Sequence, residues 1–235
     1  MSYDRILISD LETMTAAKNY RNWMYRRLAR YIGQRILEIG AGIGNFTELL
    51  LDRELVVATD NYPPCIDYLT SRFDGRLKVP PILLDASGNI ESSLKAYRFD
   101  TVVCLNVLEH IEDDFKAVSE MHRQLVVNGR LVLLVPAFQF LHGTVDKSLG
   151  HYRRYTRKDL LPRMNQAGFT IERSFYMNLI GMAGWFWNNR IIKRHEESGK
   201  QINIFDRYVA PTAEVVERLL PPPVGLSLIA IGRKS

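Results

Sequence analysis

The chain has 235 residues, 46% apolar and 24% charged, which is the balance of a globular protein and excludes a disordered or collagen-like chain. No stretch of 18 apolar residues occurs, which argues against a membrane-spanning helix. The formal net charge of +5 permits an anionic partner, but the clusters Arg21, Arg26, Arg27, Arg30 and Arg190, Lys193, Arg194 fall on helical patterns without an aromatic RNA-binding signature. A solvated basic surface is the preferred account, and no nucleic-acid partner is expected.

Two cysteines, Cys65 and Cys104, the second inside an apolar run, point to a reducing compartment and a cytoplasmic protein rather than to a disulfide. The first residues show no basic segment followed by an apolar one, so no signal peptide is expected.

In chain order, apolar residues at three- and four-residue steps predict a cap helix over 12–32. Short apolar runs then predict strands at Arg35–Ile39, Leu55–Thr59, Val79–Leu84, Thr101–Leu105 and Arg130–Val135. Helices are expected between them at Gly44–Leu51, Pro63–Phe73, Ile90–Ala96 and Asp113–Val127, the last stopping at Asn128-Gly129. Strands alternating with helices imply a parallel sheet covered on both faces. Residues 136–155 have no period and read as a functional loop insertion. Thr156, with Asp159 three residues on, opens a further helix. Strands at Phe169–Tyr176 and Leu226–Ile231 flank a helical insertion, 178–225. One domain spanning 1–235 is the economical description.

The strongest local signal is the run from Ile36 to Gly44, a buried strand entering a glycine turn. Glycines at 40, 42 and 44 let the backbone take unusual dihedrals and let a ligand approach closely. Dinucleotide enzymes use a related turn, but their G-x-G-x-x-G spacing needs a glycine where this chain has Asn45. Glu38 lies two residues before Gly40. Its charge opposes a pyrophosphate and suits a ligand carrying an ammonium and a sulfonium, which points to S-adenosylmethionine (SAM). Asp60 ends the second strand 20 residues after Gly40, at the distance of a ribose-binding acid; helix capping ahead of Pro63 is the weaker alternative. Asp85 and Ala86, at the end of the third strand, fit an adenine edge and a capping turn equally well.

Together these segments resemble class I SAM-dependent methyltransferases: ILEIGAGIG the first motif, ATDN the acidic end of strand two, LLDAS the third-strand site and FDTVVCLNVLEHIED the fourth-strand motif. The resemblance covers residues 12–176 and the last strand. It implies an α/β, Rossmann-like sheet of seven strands in the order 3-2-1-4-5-7-6 with strand seven antiparallel. It also implies SAM as cofactor, with S-adenosylhomocysteine as product, held by Glu38, Gly40, Ala41, Gly42, Gly44, Asp60, Asn61, Asp85, Ala86 and Asn106. Asn106 to His110 is similar to the small bacterial branch that includes ubiquinone-biosynthesis O-methyltransferases. Those carry Glu-x-x-Glu-His, associated with a divalent metal. Asn106 removes one anionic ligand, so no metal is expected here.

Methyl transfer needs an in-line acceptor and exclusion of water, and a base only if the acceptor loses a proton. Candidate bases are His110, just past strand four, and His142 and His151 in the loop insertion; local hydrogen bonding is an equal reading for His110. Tyr20, Phe138, Tyr152, Arg153, Arg154 and Tyr155 are candidates for the acceptor site, as aromatic walls and as cations for a carboxylate or phosphate. Loop packing and solvated arginines are the bland account. Residues 179–194, apolar and then basic, fit a lid, buried packing, a dimer interface or, ranked below these, a peripheral membrane or lipid-linked contact. Monomer and homodimer both stay open.

The reading is a SAM-dependent methyltransferase acting on a small, partly hydrophobic metabolite, with oxygen favoured over nitrogen or carbon. An RNA methyltransferase and a catalytically silent SAM-binding or scaffold protein are the rivals.

Overall fold

A computed structural model describes residues 11–12, 14–187 and 199–235. Seven strands form one sheet: β1 Arg35–Ile39, β2 Leu55–Asp60, β3 Ile82–Leu83, β4 Phe99–Leu105, β5 Leu125–Pro136, β6 Phe169–Met177 and β7 Ser227–Lys234. Their order is β3-β2-β1-β4-β5-β7-β6. β7 runs antiparallel to both β5 and β6, and the other pairings are parallel. The fold is therefore the α/β, Rossmann-like seven-stranded sheet that the resemblance implies.

Successive residues of a strand face opposite sides, so Ile36 and Leu37 enter two different cores. On one face Leu37, Val102 and Leu131 pack with Ala117, Val118 and Met121 of helix α3 (Asp114–Gln124) and with Leu160 and Met164 of α5 (Arg157–Gln166). On the other, Ile36, Val56, Val103 and Val132 meet Trp23, Met24 and Leu28 of α1 (Lys18–Leu28) and Ala210 and Ala213 of α8 (Ala210–Leu219). Further α-helices among the described residues are α2 Pro63–Arg72, α4 Thr144–Ser148, α6 Leu179–Phe186 and α7 Gly199–Ile204.

Several expected elements differ for local reasons. The third strand shortens to Ile82–Leu83 because Pro80 and Pro81 carry no N–H for a ladder. After the glycine turn only a 3-10 turn forms, Thr47–Leu50, since Gly44 has φ +83° and cannot be a helical residue. The segment expected as a helix over Ile90–Ala96 is likewise a 3-10 turn, Ser92–Tyr97. Helix α3 ends at Gln124, and Asn128-Gly129 lies inside β5, at the register shift between Phe99 and Thr101 on its partner. The cap segment is broken at Ala17. Thr156 and Asp159 do form a reciprocal capping box on α5.

Among the described residues, no helix is long and apolar enough to cross a membrane. Both cysteines are free and buried.

Candidate functional site

In open parallel sheets the ligand crevice lies beyond the carboxyl ends of strands where the order reverses. Here that point is between β1 and β4. The glycine turn after β1 and the Asn106–His110 segment after β4 meet there. A Cβ built on Gly40 would lie 2.1 Å from Val107 Cγ2, so the two loops approach backbone to side chain.

All three turn glycines have positive φ. The Gly42 N–H donates to Asp60 Oδ2 (2.8 Å), and the Tyr62 N–H to Asp60 Oδ1 (3.0 Å). Asp60 thus ties the end of β2 to the turn after β1. Glu38 is buried and accepts from Thr47 Oγ1 at 2.7 Å. Burial pushes its carboxyl up to about 7 against the lowering effect of the Thr47 bond, and the charge of Asp60 adds to the rise. Burial also raises Asp60, offset in part by the N–H groups of Gly42, Tyr62 and Asn61. Neither shift has a cationic side chain among its causes, so two under-compensated carboxylates flank the turn, an environment that attracts a cationic ligand.

The turn is covered from the amino-terminal side, a feature sequence reasoning missed. Asn45, at the position of the missing third glycine, receives the Thr15 hydroxyl (2.9 Å) on Oδ1 and donates through Nδ2 to the Leu11 carbonyl (2.9 Å). Arg21 donates to the Asn45 carbonyl (3.1 Å) and Arg72 to the Ile43 carbonyl (2.8 Å). The absent glycine was the only sequence signal for this clip.

Of the other expected cofactor residues, Ala41 is buried with its N–H on the Thr59 carbonyl (2.8 Å), and Asn61 is exposed. Asp85 is exposed and accepts from the Ser87 N–H (2.9 Å), as a carboxylate capping a turn does, beside buried Ala86. Asn106 is exposed at φ +54° with its N–H on the Leu134 carbonyl.

Beyond β4, the fold brings residues 109–110 against residues 146–154. The His110 and His151 rings stand edge to face, centroids 4.6 Å apart. His151 Nδ1–H donates to Asp146 Oδ1 (2.9 Å), which also receives Arg154 Nε (2.7 Å), while Asp146 Oδ2 accepts the Gly143 N–H (3.0 Å). His142 donates through Nε2 to the His151 carbonyl (3.1 Å). The Tyr152 N–H donates to the Glu109 carbonyl (2.8 Å). Burial lowers His110 to about 4, the neighbouring His151 adds to this, and a bond to the Leu149 carbonyl opposes it. His110 is therefore neutral at pH 7. Glu109 is 1% exposed, and burial pushes it up to about 8.

The arginines expected at the acceptor are placed elsewhere. Arg154 is 1% exposed, paired with Asp146 and stacked over Trp185. Arg153 binds Asp114 (2.9 Å) and the Glu112 carbonyl. The buried Tyr155 hydroxyl donates to Asp114 Oδ2 (3.0 Å). These bonds engage both arginines and the Tyr155 hydroxyl within the chain, Arg154 and Tyr155 in its interior and Arg153 at its partly exposed edge. Tyr152 is exposed. Phe138 stacks on Tyr176 (4.9 Å), and Tyr20 packs edge-on against Trp23 and Phe205.

A family model described as a methyltransferase domain matches residues 8–174. The chain belongs to the methyltransferase-domain family. S-adenosylmethionine is the cofactor of this fold. The chain is 31% identical over 117 residues to a mitochondrial ubiquinone biosynthesis O-methyltransferase of Schizosaccharomyces pombe, covering 47% of this chain and 40% of that protein. It is 27% identical over 169 residues to a probable polyketide synthase 40 of Dictyostelium discoideum, covering 61% of this chain and 7% of that protein. The chain thus spans well under half the length of either relative. The N-methyltransferase NodS of Bradyrhizobium japonicum, solved with S-adenosylhomocysteine, has the same fold at 16% identity (TM-score 0.58), covering 92% of this methyltransferase and 86% of that chain.

Proposed function

We propose that this methyltransferase moves the methyl group of SAM to an oxygen of a small, partly hydrophobic metabolite. The observation that carries the donor half is the glycine turn with buried Glu38 and Asp60 on either side, a setting complementary to an ammonium, a sulfonium and ribose hydroxyls. The acceptor half is supported by His110, past β4, and His151, in the loop past β5, whose rings meet edge to face. An imidazole whose Nδ1 is fixed by a carboxylate, as His151 is by Asp146, is arranged to take a proton through Nε2. A hydroxyl acceptor must lose one. The relationship to an O-methyltransferase agrees with this choice.

Helix α6 forms a lid in this reading. Trp185 Nε1 donates to the Leu141 carbonyl (3.4 Å) and lies under Arg154, joining α6 to the acceptor loop, while Leu179, Ile180 and Phe186 are exposed. The basic half of 179–194, with Arg190, Lys193 and Arg194, lies outside the described residues. Two buried free thiols support a reducing, cytoplasmic setting.

Calorimetry with SAM and S-adenosylhomocysteine tests the donor half. Asp60→Ala deletes the acceptor of two backbone N–H groups and the ribose partner. Its affinity is expected to fall by about 30-fold, or about 2 kcal/mol. Absence of SAM binding by the wild type would overturn the assignment. Mass spectrometry of cell extract incubated with enzyme and SAM tests the acceptor half. The expected product is a metabolite heavier by one methyl group, with its methyl on oxygen.

Donor affinity also carries a pH signature. Glu38 titrates near 7 in the free protein, and a bound ammonium favours its ionised form. Below pH 7 binding must first expel a proton, so affinity is expected to fall about tenfold per pH unit. Calorimetry in buffers of different ionisation enthalpy measures that proton release. Glu38→Gln should bind more weakly and with a flat profile between pH 5.5 and 7; a wild type equally flat there refutes the role given to Glu38.

A further inference from the structure

We propose that Glu109, His110 and His151 form a binding site for a divalent transition-metal ion, built from one carboxylate and two imidazoles. Each residue offers one ligand atom, and these atoms lie within 4.8 Å of one another. Around an ion with bonds of about 2.1 Å, neighbouring ligands sit about 3–4 Å apart, so contraction by about an ångström closes the set. Three protein ligands leave positions for water or an acceptor oxygen.

Glu109 is 1% exposed, yet its Oε2 has no hydrogen-bond partner. A buried carboxylate oxygen left this way is costly, and a cation satisfies it. Each imidazole has one nitrogen already engaged. Nδ1 of His151 is on Asp146, and a ring nitrogen of His110 is on the Leu149 carbonyl. Metal-bound imidazoles show this arrangement, the outer bond fixing the tautomer and turning the other nitrogen to the ion. Backbone bonds hold the two segments in place: the Tyr152 N–H on the Glu109 carbonyl, and the His142 ring on the His151 carbonyl.

The donor set differs from the Glu-x-x-Glu-His pattern that this segment resembles. Asn106, exposed and pointing the chain through positive φ, stands at the first position, and the fold supplies an imidazole from residue 151 instead. Two nitrogens and one oxygen favour zinc, iron, cobalt or manganese over magnesium, which prefers oxygen ligands. Such an ion would supply Lewis acidity to an acceptor oxygen, and in the metal-bound form His151 Nε2 would be a ligand rather than the proton acceptor it is in the metal-free protein.

The site is tested on full-length protein stripped with EDTA and gel-filtered. Titration with Co²⁺, followed by calorimetry and visible absorption, is expected to show one ion per chain, displaced by Zn²⁺ and not by millimolar Mg²⁺. Glu109→Gln and His151→Ala should each weaken Co²⁺ by tenfold or more, and Asp146→Asn by about 10- to 100-fold. No uptake by the folded wild type overturns the site without need of any variant. So does uptake that folded Glu109→Gln and His151→Ala leave unchanged. SAM titrated into the same stripped protein separates the two proposals: SAM binding without Co²⁺ uptake rejects the metal site alone, and Co²⁺ uptake without SAM binding rejects the donor reading alone.

Discussion

Gly44→Ala is expected to destabilise the protein by about 2–5 kcal/mol and to weaken SAM by 100-fold or more. Two effects add. Gly44 sits at φ +83°, where an L-residue costs about 1–2 kcal/mol. Its new Cβ would also lie 2.2 Å from Phe73 Cε2 and 3.0 Å from Leu69 Cδ2, both in a buried cluster with Ala41 and Ala58. Phe73 and Leu69 are 2% and 0% exposed and have no open space to enter, so the turn must shift. That shift carries the Gly44 N–H off the Ala41 carbonyl (2.9 Å) and moves the Gly42 amide relative to Asp60. Gly75→Ala is the matched control, because Gly75 has φ +66° but a Cβ there meets nothing within 4 Å. It should lose only the backbone share, about 1–2 kcal/mol, and keep wild-type SAM affinity. Urea unfolding and calorimetry on the pair isolate the steric part. Equal losses of stability, with SAM affinity retained in both, would show that the turn yields and that its shape does not define the site.

The glycine turn and the strands beside it are legible in the sequence because their determinants are local. Strand β1 was read with its observed limits, Arg35–Ile39, since its apolar run is bounded on one side by Gly33 and on the other by Gly40. Asp60 closes the apolar run of β2, and its distance from Gly40 is likewise a local count. Pairing with partners distant in the chain is not legible in the sequence. Arg153, Arg154 and Tyr155 read as acceptor contacts because nothing adjacent to them names Asp114 or Asp146 as their partners, residues that only the fold brings within 3 Å. The same blindness hid the clustering of His151 with Glu109 and His110: strand β5 and an aperiodic loop intervene, and no spacing rule spans them. The absence of a metal was argued from position 106 alone. The fold places a ring nitrogen of His151 within 4.8 Å of a carboxylate oxygen of Glu109, and nothing local to position 106 signals it.

Asp146→Ala should be the most destabilising single change on the acceptor side. The side chains of Asp146 and Arg154 are 0% and 1% exposed, and breaking such a buried pair leaves an uncompensated charge, at a cost of about 3–5 kcal/mol. The Gly143 N–H and His151 Nδ1–H lose their acceptor as well. Arg154→Met should also be strongly destabilising, whereas Asp146→Leu with Arg154→Met should cost less than the sum of the two single changes, since no lone charge remains. Acid should reproduce the effect without mutation. Burial raises the Asp146 carboxyl, but its bond to His151 and the charge of Arg154 outweigh burial and hold it well below the usual carboxylate range. A depressed folded pKa stabilises the protein above the unfolded value, about 3.9, and that contribution fades as pH falls below about 4. Wild-type stability should therefore drop steeply from pH 4.5 to 3, and Asp146→Leu/Arg154→Met should be flatter there. Parallel profiles for the two proteins would mean that the buried pair does not govern acid unfolding, and that the geometry fixing His151 rests on other bonds.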